Sequence, residues 1–197
     1  MSQLKLTADS GGGTVAIKGP ASTTGNAAIE LTVPGTGSGT LAVGDTGKIL
    51  QVVSTTKTDT ASFASANTSN FTDISGLSVS ITPSSTSSKI LVVATVAAAV
   101  GTGSLHVRLA RGSTGIAVGD SSSNRQSSTM SRRTQSSIYN LEITPMSFNF
   151  LDSPNTTSAT TYKVQATAGS TYDTTVYVNR SSGDNDYSYG ARVASTI

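Results

Sequence analysis

The chain offers few residues suited to chemistry. His106 is its single histidine. It stands between Leu105 and Val107 in an alternating run, which points it outward from a strand. A general base needs a partner to orient it, and no neighbouring nucleophile or carboxylate supplies one. With one histidine and no cysteine, a zinc site lacks its ligands. Asp184-Asn185-Asp186 follows Gly183 and offers oxygens of the kind calcium takes, but the rest of a calcium loop is missing. Gly35-Thr36-Gly37-Ser38-Gly39-Thr40 lacks the Gly-Lys-Ser/Thr ending of a phosphate loop and reads as linker. The expectation is no enzyme, no metal and no cofactor.

Two groups suit binding instead. Arg125, Arg132 and Arg133 lie in a polar stretch, Gly119 to Gln135, read as one long loop. Guanidinium forks there can grip an acidic neighbour such as another protein subunit or an anionic glycan, although a solvated loop tip is the plainer reading. All six tyrosines fall after residue 138. Tyr139, Tyr162 and Tyr177 lie in strand patterns and are expected to pack. Tyr172 beside Asp173, and Tyr187 and Tyr189 beside Asp184 and Asp186, lie in loops. An aromatic face for sugar C–H groups beside carboxylates for hydroxyls is the composition of a glycan contact. The alternative is that these rings merely cap the edge of a sheet.

The elements that must position these residues are strands. Leu77, Val79 and Ile81 alternate with Ser78, Ser80 and Thr82, and the Pro83 to Ser88 segment supplies a turn. Ile90 to Val100 is the most apolar run and predicts a central strand covered on both faces. After Gly101-Thr102-Gly103, residues Leu105 to Ala110 alternate again. Further strands are predicted at 48–56, 116–118, 137–143, 147–151, 161–167, 175–179 and 191–196, with Pro145-Met146 as a break. No stretch carries a helical apolar stripe over three turns. About nine strands after residue 47 suit a β-sandwich, jelly-roll-like.

Composition agrees with this. Roughly a third of the residues are Ser or Thr, far above ordinary usage, while charged residues are only 12%. Thr suits strands and Ser suits turns. A net charge of +2 gives no case for nucleic acid. No apolar run is long enough to span a bilayer, and the first residues lack a signal-peptide core. Without cysteine there is no disulfide framework, so stability must come from a core or from assembly. Asn-x-Ser/Thr triplets at Asn67, Asn70, Asn155 and Asn179 are expected by chance in this composition.

Residues 1–47 differ from the rest. Leu4 to Leu6, Thr14 to Lys18 and Ala28 to Val33 are short alternating stretches separated by Gly and Pro. Their apolar content is too thin to fold alone. They read as an extended arm, 1–47, that completes sheets elsewhere through Val15, Ile17, Ile29 and Leu31, leaving 48–197 as the head domain.

Several phrases resemble structural proteins of tailed bacteriophages, in particular fibre-like proteins of marine and cyanobacterial-type phages. Gly13-Thr14-Val15-Ala16-Ile17-Lys18-Gly19-Pro20-Ala21-Ser22, followed by Ile29-Glu30-Leu31-Thr32-Val33-Pro34, is similar to their N-terminal arm. Gly44 to Val52 resembles the strand that follows it. Phe71-Thr72-Asp73-Ile74, Leu77 to Pro83, Ser88 to Val92, Leu151-Asp152-Ser153-Pro154 and Thr161 to Val164 resemble phrases of the C-terminal domain. Together, and in order, they cover most of the chain. Family members often run a few residues beyond a strand like Ala191 to Ile197. The resemblance implies a virion surface protein made in the host cytoplasm, a homotrimer, with other tail or capsid proteins as partners and no catalytic residue. A short fibre or spike is the first expectation. A capsid decoration protein is the second, and an independent carbohydrate-binding module the third.

Overall fold

Alternating β-branched and small polar residues, separated by Ser, Gly and Pro turns, fold here into strands. The computed structural model describes residues 3–7, 14–18, 49–65, 70–134, 141–169, 175–188 and 190–197. The chain divides into two compact units, Met1–Lys48 and Ile49–Ile197. In the first, β1 (Gln3–Thr7) and β2 (Thr14–Lys18) pair antiparallel, Leu4 opposite Ile17 and Leu6 opposite Val15. Val15 and Ile17, expected to contact a partner, thus lie in a two-stranded ladder. Ile29 and Leu31 lie outside the described residues.

The second unit holds eleven strands among the described residues: β3 (Thr56–Lys57), β4 (Ala61–Ala64), β5 (Thr72–Ile81), β6 (Ile90–Ala99), β7 (Gly103–Arg111), β8 (Thr114–Ile116), β9 (Met130–Thr134), β10 (Thr144–Asp152), β11 (Thr160–Ala168), β12 (Thr175–Val178) and β13 (Ser195–Thr196). They form two antiparallel sheets. One runs β3-β13-β6-β12-β4, with β10 along the other edge of β6. The second runs β5-β11-β7, with β8 and β9 sharing the far edge of β7. Their inner faces meet in one core. Val92, Ala94, Val96, Phe148, Val176 and Val178 come from the first sheet, and Leu77, Leu105, Val107, Leu109, Tyr162 and Val164 from the second. The protein is all-β, and its larger unit is a β-sandwich.

Within β5, Ile74 and Leu77 are both buried although three apart, which a regular strand forbids. The ladder to β11 shifts register here, from Lys163 opposite Ser78 to Gln165 opposite Asp73. Gly76 supplies the left-handed φ of +84° that this bulge needs. The β7–β8 hairpin turns at Gly112, whose φ of +59° suits a tight primed turn.

Several predicted elements come out differently. The strand over 48–56 is reduced to Thr56–Lys57. Thr55 still exchanges two backbone bonds with Ile197, but Ile49, Leu50 and Val52 stay 61–83% exposed, since no strand among the described residues pairs with them. The last strand is likewise only Ser195–Thr196. The polar loop 119–135 ends in a real strand, β9, which the edge of β7 recruits despite its two arginines. Residues 141–143 are not strand, and Pro145 sits inside β10 opposite Ala97 rather than breaking it. Proline is tolerated there because β10 is an edge strand, with no second neighbour among the described residues. Over its first half β6 is covered on one face only, because only that face of the sheet has a second layer: Leu91 and Val93 remain 63% and 59% exposed.

Candidate functional site: a polar groove on the outer face of the second sheet

Neighbours across a ladder share a face, so the registers place the outward side chains. His106 on β7 is opposite Ser131 on β9, and Ser104 is opposite Arg133. His106 therefore does lie on the outer face, as the alternation predicts, but it is not simply solvated. β11 ends at Ala168, and the N–H of Gly169 donates to the Ser104 carbonyl at 2.6 Å. This brings the backbone of Gly169 beneath the imidazole. A Cβ at position 169 would lie 2.6 Å from His106 Nε2 and 3.2 Å from Ser104 Cβ, so only glycine lets the ring rest there.

The third wall is the loop between β8 and β9. Ser122 and Arg125 bridge it: the Arg125 N–H donates to the Ser122 carbonyl at 3.0 Å, and Arg125 Nη1 donates to Ser122 Oγ at 2.9 Å. Ser123, at φ +50°, makes the tight turn between them. At the base of the loop the Thr129 N–H donates to the Val107 carbonyl at 2.9 Å, and the Leu109 N–H donates to Thr129 Oγ1 at 3.0 Å. These bonds fasten the loop to β7. The result is an open groove of about 350 Å³ lined by His106, Asn124, Arg125, Gln126, Ser131 and Gly169.

Its electrostatics are one-sided. Among the described residues no carboxylate lines it and Arg125 makes no ion pair. Burial lowers the pKa of His106 from its ordinary value of 6.5, favouring the neutral ring near pH 7. His106 Nδ1 is buried and has no hydrogen-bond partner among the described residues. No hydrogen bond joins His106 to Ser131 among them either, so the pair does not form a base and an activated nucleophile. The arrangement presents one cation, two amides and a hydroxyl to solvent beside the imidazole, a set suited to holding a polar molecule.

The three arginines are separated by the fold. Arg125 is on the groove. Arg133 is exposed on the same face of β9 as Ser131, two residues along. Arg132 turns the other way, donating to Glu142 and Thr144, and so is engaged within the chain. Of the tyrosine–carboxylate group, Tyr172, Asp173 and Tyr189 lie outside the described residues. Asp184 is clasped by Arg192, whose Nη2 and Nε donate at 2.9 and 3.3 Å, and faces Arg180 at 3.7 Å. Its oxygens therefore serve ion pairs within the loop. Asp186 and Tyr187 are exposed, Tyr187 by 51%. Among the described residues no group of three metal-ligating side chains comes together.

Tyr162 and Tyr177 do pack. Tyr162 is 1% exposed and Tyr177 lies under the Arg180 guanidinium at 4.6 Å. Gly169, Asn124 and Gln126 are functional candidates that sequence reasoning missed, beside Arg125, which it named. The Ser- and Asn-rich approach to Arg125 marked a loop, but nothing local signals that it folds over His106. A search of protein-family models and a search of curated proteins each return no match.

Proposed function

We propose that this protein is a non-enzymatic surface component of a tailed-bacteriophage virion, a short fibre or spike. Residues 1–47 attach it to the particle, and the domain 48–197 stands outward as a homotrimer that contacts a host-surface glycan. The ordered phrases spread along the chain support the virion role. The observation that carries the assembled state is an uncharged apolar strip. Leu91 and Leu151 face each other across the β6–β10 ladder, and with Val93 all three are 59–63% exposed. Leu151 lies on β10, an edge strand with no second neighbour among the described residues. Apolar surface beside an open edge is costly for a lone chain in water and is buried by association with further copies.

The test is immunogold labelling of purified virions with an antibody to residues 48–197. Label at the tail or its tip is the expected result. Even label over the head would replace the fibre reading with a capsid decoration protein, and absence of label from virions would overturn both.

A further inference from the structure

We infer that the groove at His106 and Arg125 binds a hydroxylated anion, a sugar unit carrying a carboxylate or a phosphate. This names the class of ligand for the proposed surface role and rests on that role only for where such a sugar would be met. The groove itself stands on geometry. Among the described residues its one charge is the Arg125 guanidinium, which has no carboxylate partner there and retains donors beyond its bond to Ser122 Oγ. A guanidinium so placed matches the fork of a carboxylate or phosphate. Arg133, exposed on the same face beside Ser131, adds a second positive charge along the ladder.

The remaining lining decides what carries the anion. Asn124, Gln126 and Ser131 both donate and accept, as hydroxyl groups require. Among the described residues no aromatic ring lines the groove. A neutral sugar is commonly held by stacking its C–H face on such a ring, so recognition here must come from charge and hydrogen bonds. This moves the expected glycan contact away from the 184–189 loop, where Tyr187 is exposed but Asp184 is clasped by arginines. The groove volume, about 350 Å³, is at the small end of ligand sites and suits one or two sugar rings. Because Arg125 is solvent-exposed, a single site binds weakly and several copies on one particle supply avidity.

The experiment is calorimetric or NMR titration of the purified full-length chain with three probes: a galacturonic acid trimer, glucose 6-phosphate and a neutral glucose trimer. Either or both anionic probes should bind, the neutral one should not, and binding should weaken as salt rises. Arg125→Ala, on an exposed loop, should retain the melting temperature and lose affinity about tenfold. Gly169→Ala should also weaken binding, because its Cβ drives the imidazole into the groove. In a His106→Ala background the same change should have no further effect. Equal binding of the neutral trimer, no binding of either anion, or unchanged affinity in Arg125→Ala would each overturn the inference. Immunogold labelling judges the virion role separately, so the failure of one is distinguishable from the failure of the other.

Discussion

The Ser195 hydroxyl donates to Asn179 Oδ1 at 2.6 Å and accepts the Ala97 N–H at 3.0 Å, joining β13 to the end of β12 and to β6. Asn179 completes the joint. Its Nδ2 donates to the carbonyls of Lys57 and Asp59 at 2.8 and 2.9 Å, and its backbone N–H donates to the Ala97 carbonyl. It is fully buried at φ +60°, a conformation asparagine tolerates better than most residues. This buried role also places the Asn179 triplet out of reach of glycosylation.

Asn179→Ala strands two carbonyls and the Ser195 hydroxyl and adds strain at a left-handed position. A loss of about 3 kcal/mol follows, lowering the melting temperature by roughly 6–12 °C for a unit of this size. Asn179→Gly keeps the backbone conformation and should lose less. Thermal melts followed by circular dichroism compare the two, and equal losses would assign the whole effect to the hydrogen bonds.

Asp152 is buried with Tyr162 Oη donating to it at 2.6 Å and Arg111 Nη1 at 2.8 and 3.0 Å. Asp152→Ala leaves the tyrosine hydroxyl without this acceptor and the guanidinium without its carboxylate, costing about 3 kcal/mol. Tyr162→Phe removes one bond and costs about 1–2 kcal/mol. Burial, reinforced by Asp152, pushes the Tyr162 pKa well above its ordinary value of 10.0. The unfolded chain releases this proton first as pH rises, so this contribution to stability is complete below pH 10 and declines above it. Denaturant unfolding at pH 8 and pH 11 should show a steeper loss for the native chain than for Tyr162→Phe.

His106 titrates on the opposite side. Burial holds its folded pKa below 6.5, and Arg125 is the charged group lining the groove beside it. The unfolded chain then takes the proton first as pH falls. Stability should decline as pH drops from about 6.5 toward the folded pKa and level off below it, and His106→Gln should abolish that step. Asp73 acts lower down. Burial pushes its pKa up, but hydrogen bonds from Lys163 and Gln165 outweigh it and leave the pKa below 3.8. Its contribution is present above pH 3.8 and fades as pH falls through the folded value, so the two windows are separable in a stability–pH profile.

Association should depend on the apolar strip. Replacing Leu91, Val93 and Leu151 together by Thr keeps strand propensity on an exposed face. The native chain is expected to be oligomeric by light scattering after gel filtration, and the triple variant monomeric and folded. A native chain that is monomeric throughout the micromolar range would remove the homotrimer from the proposed function.

Local pattern alone determined that this protein is all-β. The alternation at Leu77–Ile81, Leu105–Leu109 and Thr161–Thr167 places β5, β7 and β11, because side chains on an extended backbone alternate whatever lies beside them. It also turned His106 outward. What stands beside each strand was decided only by tertiary pairing. The apolar run 90–100 looks covered on both faces, yet Leu91 and Val93 face solvent because only one sheet face has a second layer. Residues 49–52, apolar but for Gln51, look like a strand and pair with none among the described residues, while Ser131-Arg132-Arg133, with no apolar pattern, becomes β9 by lying along an open edge of β7. The groove has the same origin. His106, Arg125 and Gly169 are remote in sequence, and they meet because ladder register and loop fastening, both non-local, bring three unrelated segments to one face.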